Sequence, residues 1–289
     1  MNKRMLAPNR YCVAVLLLAV TAGASAGPVY DRVYTSKTLR IGTGNDTPPM
    51  NYIDEQGQWT GFDVDLGNAL AERMGLQLKR VTVNNKTRVS MLANGQIDIT
   101  LSNLSQTRSR EEQVDYAFPP YLWTAKVFYA KRGRFATARD LGGHRIGVNQ
   151  GSNAYTAAPQ EIIRSGGEAP TVIAFQKNAE GLLALRQGKI DAYCQDSPII
   201  AALVGDAASE LDAVGVGFSP GLYGIGVPQD DSKWRDTVSF ALQNMIAEGA
   251  YEEIYQRWFG PHGKYPMAHN ARPRLPEDAF GDMAMVLPE

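Results

Sequence analysis

The chain has few of the residues that build disulfide bonds and metal centres, with two cysteines and three histidines among 289 residues. Cys12 lies in a short apolar N-terminal segment, and removal of that segment leaves Cys194 with no intrachain disulfide partner. His144, His262 and His269 do not show the spacing of metal ligands. We therefore expect no disulfide, no metal and no other cofactor, and a fold that depends on its apolar core.

Long hydrophobic runs are also scarce. The N-terminal "MNKRMLAPNR" carries three basic residues and precedes the apolar "YCVAVLLLAVTAG" and the small residues "ASA". A transmembrane helix needs about 20 apolar residues, and this run is shorter. The pattern predicts a secretory signal peptide over residues 1–26, cleaved after Ala26, and hence an exported protein. An uncleaved anchor is the alternative.

Neither sign of charge dominates. Three of the 29 basic residues lie in the predicted signal peptide, which leaves 26 against 30 acidic residues and a net charge of −4. A mildly acidic chain without a basic run argues against nucleic acid and anionic membranes as partners. The hydrophobic fraction of 44% and the charged fraction of 20% suit a globular protein of one large or two ordinary domains.

What the chain does have is an alternation of strand-like and helix-like stretches, which indicates an α/β fold. Residues 39–44, "LRIGTG", form a short apolar run that ends in glycines. "GFDVDLGNALAERMG" repeats apolar residues every four positions from Phe62 to Met74 and ends at Gly75, which predicts a helix. Further strands are expected at "HRIGV", "VIAF" and "YGIGV", and two closing helices at 234–249 and 250–260.

Two segments repeat one pattern. "RVSMLANGQIDITLSN" and "EGLLALRQGKIDAYCQD" each combine an apolar helix, a glycine, an Ile-Asp pair and a strand that ends in polar residues. In open α/β sheets, ligands bind beyond the carboxyl ends of the strands. The first unit would bring Asn103, Ser105 and Arg110 there, and the second Gln195 and Asp196. Two such units predict a cleft with cations on one wall and a carboxylate on the other.

Such a cleft suits a free α-amino acid, which is a zwitterion. Arginine is the best carboxylate partner because its planar fork makes two parallel hydrogen bonds. Ser105 and Ser152 can add hydroxyl donors, and the glycine within residues 149–153, "NQGSN", lets backbone N–H groups approach an anion. Asp196 would accept the ammonium. The alternative is that Arg110 and Asp196 are ordinary surface or structural charges.

Several motifs occur in an order that resembles the family 3 extracellular solute-binding proteins of polar amino-acid ABC transporters. They are "TGFDVDLGNALAERMG", "NGQIDITLSNLSQTRSREEQVDYAFPPY", "DLGGHRIGVNQGSNAY", "QGKIDAYCQDSP" and "YEEIYQRWFG". The resemblance covers about residues 39–260 and implies two Rossmann-like α/β lobes joined by a two-strand hinge, as in type II periplasmic binding proteins. It further implies a periplasmic, monomeric, non-enzymatic protein with an ABC permease as its partner.

The resemblance also assigns site residues. It places Arg110 on the ligand α-carboxylate and Asp196 on the α-ammonium. It places further carboxylate donors at Ser105, Ser152 and the backbone around Asn103. Arg108 falls where the family usually has a variable exposed residue, so we expect its side chain in solvent.

The resemblance determines the ligand side chain less clearly than it determines the α-carboxylate and α-ammonium sites. "NNKTRVSMLANG" resembles the glutamate/aspartate-binding branch, in which an arginine at the place of Arg88 meets the side-chain carboxylate. That branch has a second arginine where this chain has Gly44, and a histidine where it has Asn178. Glutamine and basic amino-acid binders commonly stack aromatic rings on the ligand, at positions that are Thr47 and Asn85 here.

The resulting pocket is polar and singly cationic beyond the α-carboxylate site. Its predicted members are Asn85, Arg88, Asn149, Asn178 and Gln195. An acidic amino acid is favoured because one buried guanidinium calls for one anion. A carboxamide or another small polar amino acid stays open, and so does a surface position for Arg88 at the start of its helix.

The predicted lobes are discontinuous in sequence. We assign residues 36–121 and 222–260 to the first lobe and residues 122–221 to the second, with crossovers at "PYLWTAK" and "FSPGLYG" acting as the hinge. The proline-rich residues 261–289 are expected to form an extended tail. Two alternatives to transport are a dehydratase of the cyclohexadienyl type, which needs a general acid or base in the cleft, and a ligand-sensing or partner-docking module.

Overall fold

The computed structural model of the protein describes residues 29–267 and 271–273. The predicted signal peptide with Cys12, His269 and most of the predicted tail lie outside the described residues. The described α-helices are α1 (Val29–Ser36), α2 (Phe62–Arg73), α3 (Arg88–Ala93), α4 (Arg108–Glu111), α5 (Ala154–Arg164), α6 (Asn178–Arg186), α7 (Ser197–Val204), α8 (Ser232–Ala247) and α9 (Ala250–Phe259).

Thirteen strands lie in the same part of the chain. They are β1 (Thr38–Thr43), β2 (Asp46–Thr47), β3 (Asn51–Ile53), β4 (Trp59–Thr60), β5 (Gln77–Thr82), β6 (Ile99–Thr100), β7 (Asp115–Tyr116), β8 (Leu122–Lys131), β9 (Arg145–Asn149), β10 (Thr171–Phe175), β11 (Ala192–Asp196), β12 (Leu211–Tyr223) and β13 (Gly226–Val227). The helices and strands expected from the apolar periodicity are confirmed.

Lobe 1 is built on a five-stranded sheet in the order β5-β1-β6-β13-β7. Strand β1 runs parallel to β5 and β6, while β13 is antiparallel to β6 and β7. The apolar run that predicted β1 buries Leu39 and Ile41 completely. A small β2-β3-β4 sheet lies beside α2. The parallel strands of lobe 1 direct their carboxyl ends to one edge.

Lobe 2 is built on a second five-stranded sheet in the order β10-β9-β11-β8-β12. Strand β9 runs parallel to β10 and β11, and β8 is antiparallel to both β11 and β12. Near the first sheet, β8 and β12 pair with each other through Leu122–Tyr223 and Trp123–Leu222. The chain therefore leaves lobe 1 after β7 and returns to it at β13, which confirms an α/β fold of two units joined by two strands.

The sequence repeat has the same structural role in both lobes. The Ile-Asp carboxylate of lobe 1, Asp98, accepts hydrogen bonds from the backbone N–H of Arg40 at 2.8 Å and from its Nε at 3.0 Å. In lobe 2, Asp191 accepts from the backbone N–H of Arg145 at 3.0 Å and from its Nε at 2.8 Å. These hydrogen bonds from Arg145 hold the pKa of Asp191 well below its usual range. Each repeated aspartate thus anchors the first residues of a parallel strand in its own lobe, β1 in lobe 1 and β9 in lobe 2.

Candidate functional site

A cavity of about 360 Å³ lies between the lobes, where loops that follow the parallel strands approach each other. Lobe 1 lines it with residues that include Asn85 and Ser102, and lobe 2 with Asn149, Gln176 and Lys177. Most of the lining residues are polar or charged. The prediction of a polar cleft beyond the carboxyl ends of the strands is confirmed.

The two lobes touch beside this cavity. Asn85 Nδ2 donates a hydrogen bond to Asn149 Oδ1, and Arg110 Nη2 donates to the Gly151 carbonyl at 3.4 Å. Gly151 has φ +76°, and a Cβ there would lie 3.0 Å from the carbonyl carbon of Asn85. Only glycine combines this backbone conformation with so close an approach. The described arrangement is therefore one with the cleft closed.

Arg110 lies on the lobe 1 side of the cleft. It belongs to the short helix α4, and its Nη1 donates to the Ser105 carbonyl at 2.7 Å. Tyr116 donates its hydroxyl to the same carbonyl at 3.1 Å. Burial lowers the pKa of Arg110. Arg108 is exposed on the same helix, so the prediction that these two arginines differ in environment is confirmed.

Arg88 is buried near Arg110. It is the first residue of α3, and only 2% of its surface is exposed, so the surface alternative is wrong. Its Nη1 donates to the Ser102 carbonyl, whereas its Nε has no hydrogen-bond partner among the described residues. Burial, and then the positive charge of Arg110, lower the pKa of Arg88 to about 9. Within residues 29–267 and 271–273, neither arginine forms an ion pair.

A buried carboxyl group lies behind the arginines and was not predicted. Asp63 Oδ2 accepts hydrogen bonds from Asn51 Nδ2 and from the backbone N–H of Asn103, both at 2.7 Å. Burial raises the pKa of Asp63 to about 7. The sequence signal was available, because Asp63 lies three residues before Leu66 and so shares the inward face of α2.

Asp196, the predicted carboxylate of lobe 2, is buried and already has partners within the protein. It ends β11, and its Oδ1 contacts Nζ of the buried Lys126 while its Oδ2 accepts from the Tyr223 hydroxyl at 2.5 Å. The Asp196 backbone N–H donates to Gln195 Oε1 at 2.8 Å. Gln195 Nε2 in turn donates to Asn178 Oδ1 at 2.5 Å. The side chains of Gln195 and Asn178 therefore form hydrogen bonds within the protein that fix the end of β11.

Lys126 was missed in the sequence, although the pattern around it carries a signal. Along β8 the buried residues alternate as Leu122, Thr124, Lys126 and Phe128. A lysine at an inward position of an alternating strand requires a buried partner, because an unpaired buried charge is costly. The partner, Asp196, pairs directly with Lys126 in the antiparallel register of β8 and β11.

The remaining predicted residues contribute mainly backbone or internal contacts. Ser152 donates its hydroxyl to the Asn149 carbonyl at 2.7 Å, and Ser105 is buried and offers its carbonyl to Arg110. Asn103 has φ +45° and accepts from Asn51 Nδ2 at 3.3 Å. Of the predicted site residues, Asn85 and Asn149 line the cavity, whereas the other eight, which include Arg88, Arg110 and Asp196, do not.

The part of the chain that the structure describes contains neither a candidate metal cluster nor a candidate membrane-spanning helix. No cluster of three or more histidine, cysteine, aspartate or glutamate side chains there could hold a metal ion. None of the described helices is both long and apolar enough to cross a membrane. Cys194 is buried in β11, and burial raises the pKa of its thiol, which makes it unreactive.

Comparisons with known proteins agree with the architecture. Over 232 residues, the chain is 32% identical to the L-arginine-binding protein of Pseudomonas aeruginosa. The aligned region covers 77% of this chain and 88% of the relative. The solved structure of a mutant of ArgBP from T. maritima is 27% identical in sequence and has a TM-score of 0.71. The match covers 80% of this chain and 98% of the ArgBP chain. A solved ancestral amino acid-binding protein, a precursor of cyclohexadienyl dehydratase, is 27% identical with a TM-score of 0.70, covering 79% and 98%.

These likenesses confirm the fold of two Rossmann-like lobes joined by a two-strand hinge, as in type II periplasmic binding proteins. The model of the family described as bacterial extracellular solute-binding proteins, family 3, matches residues 39–261. This chain therefore belongs to the bacterial extracellular solute-binding proteins of family 3.

Proposed function

We propose that this protein is a periplasmic solute-binding protein that captures a polar amino acid, or an organic acid of similar size, in the interlobe cleft and delivers it to an ABC transporter permease. Family membership supports capture and delivery. The preferred ligand carries two carboxylates. The observation that carries this choice is the pair of neighbouring guanidinium groups of Arg88, which is buried, and Arg110, which is half-buried, with no ion-pair partner among the described residues.

A ligand with two carboxylates would compensate both arginines. An unpaired buried charge costs several kcal/mol, and an anion in hydrogen-bond contact offsets much of that cost. Arg110, next to Ser105 and Ser152, would bind the first carboxylate. Arg88 would bind the second through donors that include its unpaired Nε. Asn85 and Asn149 would supply polar contacts along the ligand.

The proposed ligand is anionic, whereas the relative from Pseudomonas aeruginosa is an L-arginine-binding protein. A site for the arginine side chain must offer its guanidinium an anion or an aromatic face. Thr47 and Asn85 line this cleft at positions where basic amino-acid binders commonly carry aromatic residues. The nearby charges include buried Arg88 and half-buried Arg110. Charge repulsion would disfavour a basic ligand.

Capture by closure follows from the two-strand connection. We assign lobe 1 to residues 36–121 and 222–260 and lobe 2 to residues 122–221. The ligand would bind one lobe first, and rotation about β8 and β12 would then bring Asn149 and Gly151 against Asn85 and Arg110. The permease would recognise this closed form, and we expect the protein to act as a monomer.

We propose no catalytic activity. A solved neighbour is a precursor of a dehydratase, and such an enzyme needs a carboxyl group that reaches its substrate as a general acid or base. Both oxygens of Asp196 are engaged, one by Lys126 and one by Tyr223. A sensing role remains the second alternative, and stimulation of permease ATP hydrolysis by the liganded protein separates transport from sensing.

A thermal-shift screen of residues 27–289 against the amino acids and small mono- and dicarboxylates tests the proposal. A ligand that binds only the folded protein raises the melting temperature. We expect the largest rise among dicarboxylate-bearing compounds and none with arginine or lysine. A rise confined to basic or neutral amino acids would contradict the anionic choice. No rise with any compound would contradict small-solute capture itself.

A further inference from the structure

The carboxylate expected to receive a ligand ammonium is already neutralised by the protein. Asp196 is 4% exposed and Lys126 is 2% exposed. The Lys126 ammonium contacts one carboxylate oxygen of Asp196, and the Tyr223 hydroxyl donates to the other at 2.5 Å. Lys126 thus supplies from within β8 the positive charge that an amino-acid ligand would bring.

A second ammonium at Asp196 would face an unfavourable environment. It would lie a few ångströms from Lys126 Nζ, and two like charges at such a distance repel strongly in a buried site. It would also lie on the side of Arg110, whose charge is close enough to interact with Asp196. Its hydration would be lost without a free anion to replace it.

Other carboxylates of the cleft do not replace Asp196. Asp63 has no exposed surface and lies behind Asn51 and Asn103, where a ligand ammonium cannot reach it. Asp46 lines the cavity but is exposed at its rim, where water screens its charge. The charges that interact with one another beside the cavity are therefore buried Arg88, half-buried Arg110 and the buried Lys126–Asp196 pair, which together carry an excess of positive charge.

We infer that the cleft prefers small aliphatic dicarboxylates without an amino group over the acidic amino acids, and that Lys126 determines this preference. The inference rests on the proposed function, because it uses the same cleft and the same two arginines. It narrows the ligand class to dianions such as succinate and glutarate. Two carboxylates would match the two guanidinium groups, and no ligand ammonium would compete with Lys126.

Ligand pairs that differ only in the amino group test this inference. Titration calorimetry should compare succinate with aspartate and glutarate with glutamate on the wild-type protein. We expect the compound without the amino group to bind at least about tenfold more tightly in each pair. Lys126→Met keeps much of the side-chain volume, removes the charge and frees Asp196. This variant should bind aspartate or glutamate more tightly than wild type and reverse the preference.

Two further variants separate selectivity from folding. Lys126→Met combined with Asp196→Asn removes both charges, leaves no carboxylate to neutralise a ligand ammonium and should still favour the compounds without an amino group. Lys131→Met changes an exposed lysine of the same strand and should keep the wild-type ratio. Should Lys126→Met fail to fold, the wild-type ratios and the double variant still decide the question.

The possible failures are distinguishable. Tighter binding of aspartate or glutamate by the wild type would overturn this inference and leave the proposed capture of an acidic ligand intact. An unchanged ratio in a folded Lys126→Met variant would overturn the role of Lys126. Binding of neither member of either pair would overturn both the inference and the two-carboxylate ligand of the proposed function.

Discussion

Arg88, which is buried, and Arg110, which is half-buried, are neighbouring cations, and the charge of Arg110 helps to lower the pKa of Arg88 to about 9, after the larger effect of burial. Each donates a hydrogen bond to a backbone carbonyl of the segment after β6, Arg88 to Ser102 and Arg110 to Ser105. Carbonyl oxygens do not neutralise charge. The cluster is therefore arranged to receive anions, and its energetics lead to the first two predictions.

Removal of the Arg110 guanidinium should abolish tight binding. Arg110→Ala strands a ligand carboxylate in the closed cleft, which costs about 3–5 kcal/mol, or several hundredfold or more in affinity. Titration calorimetry with the ligand that the thermal screen identifies measures the loss. Arg108→Ala, on the same helix but in solvent, is the matched control and should bind as wild type does. Equal behaviour of the two variants would contradict the assignment.

Arg88 should select for the second carboxylate. Arg88→Met keeps the stem and deletes the charge, so it should shrink the preference for glutamate over glutamine, or for glutarate over its monoamide, by about 1–3 kcal/mol. The affinities of the four compounds for wild type and variant give this difference directly. Weakening of all four by the same factor would instead show that Arg88 is structural.

Closure should depend on ligand. Asn85 and Asn149 join the lobes by a hydrogen bond at the edge of the cavity, and few other interlobe hydrogen bonds accompany it in the described residues. Without ligand, this contact competes poorly with hydration of the cleft. We expect the radius of gyration from X-ray scattering to fall when ligand saturates the protein. A profile that is the same with and without ligand would contradict a ligand-driven hinge.

Much of the fold could be predicted because local patterns agree with it. The apolar period of α2 and the short apolar run of β1 correspond to buried positions in the structure. The repeated Ile-Asp pattern identified two equivalent units, and Asp98 and Asp191 anchor arginines in the same way in both lobes. These features depend on neighbours within a few residues or on one repeated unit, which a sequence displays directly.

The pairing of the cleft charges could not be predicted in the same way. Lys126 and Asp196 are 70 residues apart, and only the register of β8 against β11 brings them together. The resemblance implied that Asp196 binds a ligand ammonium, and it implied no role for Lys126. The burial of Arg88 was left open for a similar reason, since a residue at a helix N-terminus can point to solvent or inward depending on how the helix packs.

Asp63 is a buried carboxyl group near Arg88 whose protonation makes the stability of the fold depend on pH. Its carboxyl group has no exposed surface, its Oδ1 has no hydrogen-bond partner among the described residues, and its charge interacts with Arg88. Burial raises its pKa to about 7, against about 3.9 in an unfolded chain. The folded protein therefore holds a proton on Asp63 through a range of pH in which the unfolded chain has released it.

The free energy of unfolding should consequently respond to pH through Asp63. A raised carboxyl pKa stabilises the folded state fully below about pH 4, and this contribution is lost as the pH rises through about 7. Asp63→Asn cannot ionise, so the stability of wild type relative to this variant should fall by about 1–3 kcal/mol between pH 5 and pH 8. Urea unfolding of both proteins at several pH values measures the difference, and other titrating groups cancel because both proteins share them. A difference that is independent of pH between pH 5 and pH 8 would show that Asp63 is already ionised at pH 5, which is the result expected if the attraction of Arg88 outweighs burial.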